Sequence, residues 1–468
     1  MTGEILSPVA SSLRLRGRIG SLQYLALGFG TMIGSAWVIL LGDWLGKAGP
    51  GGAIVGFAAG ALVMMAVGAC YAELTSRIPE AGSEFVYAHR VFGPGPAFAV
   101  GWFLVLYLIC VTVFEGLAVG WIVEIVTPSW RPLVLYRAFG APIFAQTLIV
   151  ALTATVAIWA LNHRGTRLAV VTHSTLTYAF AAIVIALLLA MLWKGRVGAV
   201  GPWFATTNGR PWWLGSGAIF AFCAYALNGF QAIPQAIEER APGMELRTVG
   251  WLILIVIACA AAFYVLVVLA GSAMRPWREL AGMPLPIVAA ARSLPYGPQA
   301  AYMLLAATAA SLLKAWNGIF MMAARLLVAM ARAGHVPQQL ARVHPRLGSP
   351  AAALGFVGLC NSAGLLLGKG AIEPITDMCA MVLTLTYLLC CLAVVRARRG
   401  GQAAPFRVPG GRAVVWIGGT GGALMAVAAF ATPFIEQSGI PLEWRLLGAW
   451  SLAGAAVWLI RRRHEVSA

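Results

Sequence analysis

About twelve stretches of this chain are apolar and long enough to cross a lipid bilayer, since a spanning helix needs about 20 residues. Only 10% of the residues are charged and 60% are hydrophobic, whereas a soluble domain has about 25% charged residues. Backbone groups in lipid must bond to one another, and no alternating strand pattern is present, so the sequence predicts an all-α membrane protein. The apolar segments are 21–45, 51–78, 97–124, 144–162, 168–193, 214–238, 248–271, 299–331, 350–368, 373–396, 413–432 and 445–460.

The chain has a net charge of +17, with 33 Lys and Arg residues against 16 Asp and Glu residues. Most of the basic residues lie in loops on the same side as the N-terminus, which predicts that both termini face the cytoplasm. Nucleic-acid binding is therefore not needed to explain the charge. We expect a cytoplasmic tail at 1–20, a second tail at 461–468, no cleavable signal peptide, and location in the cytoplasmic (inner) membrane.

Two of the predicted spans contain glycine clusters at matching places. The first span has the sequence GFGTMIGS at 28–35, and the sixth has YALNGF at 225–230 followed by Pro234. This match predicts two five-helix repeats, 21–193 and 214–396, which are inverted because five is odd, with broken helices at their interface. The transport core would then be 21–396, and two further helices follow in 413–460.

The broken helices are the main candidates for a binding site. Unwinding at 30–35 would free N–H groups at the start of a half-helix, and such a site attracts anions. Unwinding at 226–229 would free carbonyl groups, which suit an ammonium. A molecule with both charges on one carbon, an amino acid, fits this pair. The alternative is that the glycines only allow close helix packing.

Four stretches resemble the permeases of the amino acid–polyamine–organocation (APC) superfamily, which share the LeuT-type fold. They are GTMIGS at 30–35, CYAEL at 70–74 continued by RIPEAGSEFVY at 77–87, GFQAIP at 229–234, and RLLVAMA at 325–331 followed by GHVP at 334–337. The resemblance implies a secondary active transporter that moves an amino acid by alternating access.

The same resemblance implies which residues line the substrate site, with Tyr225 matching an aromatic gate. Trp37 departs from the usual pattern after Ser35. It either narrows the pocket as part of the gate or is an ordinary packing tryptophan. The implied substrate-binding residues are Met32, Ile33, Gly34, Ser35, Tyr225, Ala226, Leu227 and Asn228.

A second departure concerns energy coupling. Some relatives carry a lysine in helix five, where this chain has Phe180, but here span eight contains Lys314. A lysine inside a membrane is costly and indicates a functional site with a partner. Matching Gly34 with Gly229 brings Glu115 of span three within one turn of Lys314. We expect Lys314 to occupy a cation-site region and to couple transport to protons, with Glu115 as partner or second acceptor. The alternative is a permanent ion pair that only fixes packing.

Other polar residues receive plainer interpretations. Glu73 and Arg77 are spaced as a structural i, i+4 pair. Glu238 and Glu239 either contact loop arginines as an inner gate or have no such role. His173 in span five is interpreted as a packing residue rather than a proton relay.

Three other functions stay open or are disfavoured. The substrate could instead be an amine such as ethanolamine or a polyamine, although a polyamine would need more carboxylates. A membrane enzyme needs a catalytic, metal or cofactor motif, and the sequence has none, so no cofactor is expected. A sensor that does not transport is not excluded. The expected partners are a small-molecule substrate, protons and lipid. The sequence leaves the substrate, symport or exchange, proton or sodium, and oligomeric state open.

Overall fold

The computed structural model describes residues 19–127, 133–196, 198, 200–205, 211–400, 403–436 and 439–467. Within this part of the chain there are seventeen α-helices and one small sheet. The helices are α1 Ser21–Met32, α2 Ala36–Ile39, α3 Leu41–Arg77, α4 Glu84–Phe92, α5 Pro94–Val126, α6 Ala145–His163, α7 Thr166–Lys194, α8 Trp212–Ala226, α9 Ala232–Gln235, α10 Leu246–Met274, α11 Trp277–Leu280, α12 Pro286–Ala291, α13 Gly297–Arg332, α14 Ala351–Leu365, α15 Ile372–Arg398, α16 Gly411–Glu436 and α17 Leu442–Ser467. Short 3-10 turns occupy Ile237–Glu239, Gln338–Ala341 and Lys369–Ala371.

The prediction of a helical membrane protein is confirmed, although the described residues also include a short β-hairpin. Among the described residues, eight helices are long and apolar enough to cross a bilayer, namely α3, α5, α6, α7, α10, α13, α15 and α16. Two shorter helices, α8 and α14, are also apolar. Every segment that hydropathy marked as a span falls on helical structure.

A kink in α3 explains why hydropathy separated the first two segments. Gly49 has a φ of +68°, and Pro50 follows it. A β-carbon at position 49 would lie 2.7 Å from the backbone nitrogen of Ala205, so the close approach of this loop requires glycine. The helix therefore changes direction between its short first part and its long second part.

The sequence did not predict the hairpin of β1 (Val134–Ala138) and β2 (Ala141–Phe144), which pair in antiparallel fashion. Its two turn residues, Phe139 and Gly140, both have positive φ, as a two-residue hairpin turn requires. The strands are only 5 and 4 residues long, too short for a search based on longer alternating patterns. We call this side of the bundle the hairpin end.

The opposite side, which we call the arginine-rich end, is defined by Arg77, Arg332 and Arg398 at the last turns of α3, α13 and α15. Arg77 and Arg398 both bind the buried carboxylate of Glu73, at 2.8 and 2.7 Å. The predicted Glu73–Arg77 pair is therefore confirmed. Arg398 is a further partner that spacing alone could not reveal.

The first break lies between α1 and α2. Residues 33–35 are not helical, and Ile33 has an extended backbone with φ −97° and ψ 90°. The amide of Ile33 still donates to Phe29 O at 3.1 Å, so the helical hydrogen bonds of α1 continue up to this residue. The main chain then turns before α2 starts at Ala36.

The second break lies between α8 and α9, at residues 227–231. Gly229 has a φ of +105°, and a β-carbon on it would lie 2.8 Å from the backbone nitrogen of Met32. The two breaks therefore touch at Gly229. Any other residue at this position would strain the backbone. The predicted interruptions are both present and adjacent.

Helix α13 forms the centre of the bundle, since most of its residues are buried inside the protein. It packs against α1, α5, α6, α7 and α14. Polar groups on α13 are therefore held away from lipid, and two of them, Ser311 and Lys314, contact the first break. This placement determines the site.

Candidate functional site

A small cavity lies where the break after α1 meets the end of α8, with α5, α10 and α13 forming the remaining wall. Its volume is about 20 Å³, enough for about one water molecule. Any larger guest therefore requires the surrounding side chains to move. The cavity is lined by Thr31, Met32, Gly34, Ser35, Ala36, Val111, Phe114, Glu115, Tyr225, Ala226, Asn228, Tyr264 and Ile319.

The lining includes six of the eight residues expected at a substrate site. The other two, Ile33 and Leu227, lie outside it and are fully buried. Ile33 still contributes its carbonyl oxygen, which accepts hydrogen bonds from α13. Its role here belongs to the backbone and not to the side chain.

Glu115 of α5 reaches the first break. Its Oε1 lies so close to Gly34 that no β-carbon could be accommodated at that position. Its Oε2 is buried and has no hydrogen-bond partner among the described residues, and the same holds for the hydroxyls of Thr31 and Ser35. Buried polar atoms are nearly always hydrogen-bonded. This part of the cavity can therefore bind a small polar group.

Lys314 of α13 is fully buried on the other side of the same segment. Its ammonium donates to Gly30 O at 2.9 Å and to Ile33 O. These two carbonyls are exposed by the break, so the lysine occupies a cation position at the unwound turn. The ammonium also lies 4.5 Å above the Phe180 ring centre, a favourable cation–π geometry.

Glu115 and Lys314 do not form a direct ion pair among the described ion pairs. Glu115 contacts Gly34, whereas Lys314 contacts Gly30 and Ile33. The two residues meet at one segment, but they bind different parts of it.

The two residues expected at the gate are in different places. Tyr225 lines the cavity, and its ring is 6.0 Å from that of Phe114. Trp37 is fully buried outside the lining, with its ring 5.8 Å from Phe180 and 5.5 Å from Phe263. This packing matches the alternative interpretation of Trp37 as a packing residue.

Sequence reasoning missed several residues that shape the site. Ser311 donates to Ile33 O at 2.9 Å and to Gly34 O at 2.8 Å, and Tyr107 donates to Asn228 Oδ1 at 2.6 Å. Ser311 precedes Lys314 by three residues and so shares its helix face, a signal that could have identified it. Tyr107 carried no comparable signal.

At the arginine-rich end, acidic residues after α9 bind arginines of α13. Glu239 and Arg325 form a buried pair at 2.7 Å, only 1% and 2% exposed. Glu238 pairs with Arg332 at 3.1 Å and accepts from the amide of Ala81 at 3.1 Å. The glutamates therefore contact arginines, but these arginines belong to α13 and not, as the sequence predicted, to the loops. These contacts hold α9, α13 and the loop before α4 together.

The fold and the cavity define a helical membrane protein with a small polar site between two interrupted helices. The family described as "Amino acid permease" matches residues 19–457. The chain belongs to this family, which is part of the APC superfamily, as the motif resemblance had indicated.

Similar proteins cover most of the chain. The branched-chain amino acid permease BcaP of Bacillus subtilis (strain 168) is 25% identical over 429 residues, which is 87% of each chain. The methylthioribose transporter of the same organism is 24% identical over 422 residues, again 87% of each chain. The vacuolar cationic amino acid transporter 4 of Arabidopsis thaliana is 27% identical over 409 residues, 80% of this chain and 64% of the relative.

Proposed function

We propose that this protein is a secondary active transporter that carries an amino acid across the cytoplasmic membrane by alternating access, coupled to protons by symport or exchange. In this proposal the chain has twelve spans, with two inverted five-helix repeats and both termini in the cytoplasm. The observation that carries the proposal is the small cavity between the two touching helix breaks, with the buried carboxylate of Glu115 in its lining. Relatives that are named for amino acid transport support the choice of substrate class.

Occlusion supports alternating access. The cavity is far smaller than an amino acid, and the buried Glu239–Arg325 pair closes the arginine-rich end. A carrier must open one side at a time, so the closed arrangement is one state of the proposed cycle. Tyr225, which lines the cavity, is the proposed aromatic gate.

Proton coupling follows from the position of Glu115. An amino acid carboxylate would bind the free N–H groups near Gly34 and Ser35, where the carboxylate of Glu115 already lies. Two like charges at such short range disfavour each other. The amino acid therefore binds together with a proton on Glu115. Lys314 supplies the second coupling group, because its ammonium holds the carbonyls of the unwound turn.

The position of Glu115 also favours a second candidate substrate, an amine without a carboxylate. An ionised Glu115 would then pair directly with the ammonium of the substrate. The other lining side chains are uncharged, so one carboxylate suits a monoamine such as ethanolamine better than a polyamine. The two candidate substrates predict opposite effects of pH on ligand binding.

The test is a thermal-shift screen of the purified protein with all L-amino acids and common biogenic amines, at about pH 5.5 and about pH 7.5, because a bound ligand stabilises the folded state by mass action. Amino acid transport predicts stabilisation by amino acids that is larger at the lower pH and becomes independent of pH in Glu115→Gln. Monoamine transport predicts stabilisation that is larger at the higher pH and is lost in that variant. Glu124→Gln, on the same helix but paired with Lys369 at 2.6 Å, is the matched control.

A further inference from the structure

The second break deprives two main-chain groups of their helical partners. In a regular helix the amide of Asn228 would donate to Ala224 O, but here it donates to Tyr225 O at 3.3 Å. The side-chain amide of Asn228 donates to the same Tyr225 oxygen, which in a helix would accept from the amide of Gly229. Ala224 O and the Gly229 amide therefore need other partners, because an unsatisfied polar group inside a membrane is costly.

Tyr387 of α15 and the side chain of Gln231 supply both of these partners. The Tyr387 hydroxyl donates to Ala224 O at 3.0 Å and accepts from Gln231 Nε2 at 3.3 Å. Gln231 Oε1 accepts from the amide of Gly229 at 2.7 Å. The two side chains are 0% and 1% exposed. Three buried hydrogen bonds therefore join the last turn of α8 to the glycine that contacts the first break.

The segment between these two anchored positions faces the cavity. Tyr225, Ala226 and Asn228 belong to its lining. Among the described backbone hydrogen bonds, none is accepted by the carbonyl oxygens of residues 226–228. These oxygens are available to the ammonium that both candidate substrates carry. Their direction follows from the shape of the break, and the two anchored ends fix that shape.

We propose that Tyr387 and Gln231 are positioning residues for the substrate ammonium and that they act as one unit. The inference rests on the proposed transport function. Neither side chain belongs to the described lining of the cavity, so both act through the main chain of the break. Without the Tyr387 hydroxyl the break also adopts other shapes, and the apparent affinity falls in proportion to the fraction that stays competent to bind.

The test measures counterflow exchange in liposomes that contain the full chain. The probes are a tritiated mixture of the proteinogenic L-amino acids and, separately, tritiated ethanolamine. Tyr387→Phe removes the hydroxyl and keeps the ring. The matched control is Tyr71→Phe, because the Tyr71 ring lies 6.2 Å from that of Tyr387, whereas its hydroxyl donates to Glu84 at 3.0 Å.

We expect Tyr387→Phe to raise the half-saturating probe concentration at least about fivefold, since a buried carbonyl loses its partner. The maximal exchange rate should stay within about twofold of wild type, and Tyr71→Phe should keep both values within the same range. Gln231→Leu should reproduce the effect of Tyr387→Phe. The double variant should be no worse than the more affected single variant, because the two side chains form one hydrogen-bonded unit. If Tyr387→Phe does not fold, Gln231→Leu is compared with Tyr71→Phe.

An unchanged half-saturating concentration in Tyr387→Phe would overturn the positioning role. Equal increases in Tyr387→Phe and Tyr71→Phe would also overturn it, because they would indicate general packing of the aromatic side chains. Additive effects in the double variant would show that Tyr387 and Gln231 do not act as one unit. If the wild type exchanges neither probe, the proposed transport function fails and this inference fails with it.

Discussion

The ammonium nitrogen of Lys314 on α13 lies 4.5 Å above the centre of the Phe180 ring on α7. Phe180 stands where the motif resemblance places a lysine in some relatives. The positive charge in this chain therefore reaches the same region from a different helix. The aromatic ring and the carbonyls of Gly30 and Ile33 together provide the surroundings that a buried ammonium needs.

Replacing Lys314 with Met should uncouple transport from the proton gradient. The methionine fills a similar volume but leaves the carbonyls of Gly30 and Ile33 without the ammonium. We expect gradient-driven accumulation in liposomes to fall at least about tenfold while counterflow exchange is retained. The control is Lys194→Met, which replaces an exposed lysine at the C-terminal end of α7. Persistent accumulation driven by a pH gradient in Lys314→Met would remove the coupling role.

Replacing Arg325 with Met should destabilise the protein strongly. The change leaves the buried carboxylate of Glu239 unpaired, and such a loss costs about 3–5 kcal/mol. In the control Arg90→Met, the broken pair with Glu80 is 39% and 41% exposed, so a cost below about 1 kcal/mol is expected. Unfolding of both variants in detergent measures the difference. Equal destabilisation would show that burial of the first pair has no energetic consequence.

Replacing Gly229 with Ala should damage both stability and binding. The residue has a φ of +105°, and the new β-carbon would lie 2.8 Å from the backbone nitrogen of Met32. The left-handed conformation alone costs about 1–2 kcal/mol, and the clash pushes the two breaks apart. Gly217→Ala is the control on α8, since nothing lies within 4 Å of its added carbon. Melting temperature and ligand-induced shifts should fall only in the first variant, and a normal Gly229→Ala protein would contradict the contact between the breaks.

The buried Glu84 should make stability depend on pH. Burial raises the pKa of Glu84 above its usual value, and Tyr71 donates to its Oε1 at 3.0 Å. A raised pKa in the folded state means that the stabilising contribution is present below the usual pKa of Glu and is lost as pH rises through the folded pKa. We expect the melting temperature of wild type to fall more than that of Glu84→Gln between about pH 4 and about pH 8.

The control for this pH series is Glu80→Gln, in the loop just before α4. Glu80 is 41% exposed and paired with Arg90 at 2.6 Å, so this variant removes an exposed carboxylate instead of a buried one. Parallel curves for wild type and Glu84→Gln would show that the carboxylate of Glu84 titrates as it does in the unfolded chain.

The sequence by itself determined the helical class and the places where helices break. Hydropathy located the helical segments because an apolar run is a local property that lipid requires. Glycines at 28–35 and at 229 marked the breaks, because unwound backbone that approaches another chain segment needs a residue without a side chain. Six residues of the predicted substrate site line the cavity, since they lie at these two breaks, and Glu115 was predicted separately as a charge inside a span.

Only the tertiary structure decided which groups the buried charges contact. The sequence left open whether Glu115 and Lys314 pair, and in the structure they contact different residues of the same unwound segment. It likewise moved Trp37 away from the cavity and brought Tyr107, Ser311 and His173 toward the breaks. These contacts join residues that are mostly more than a hundred positions apart. They depend on how α5, α7 and α13 pack around α1, and no local pattern records that packing.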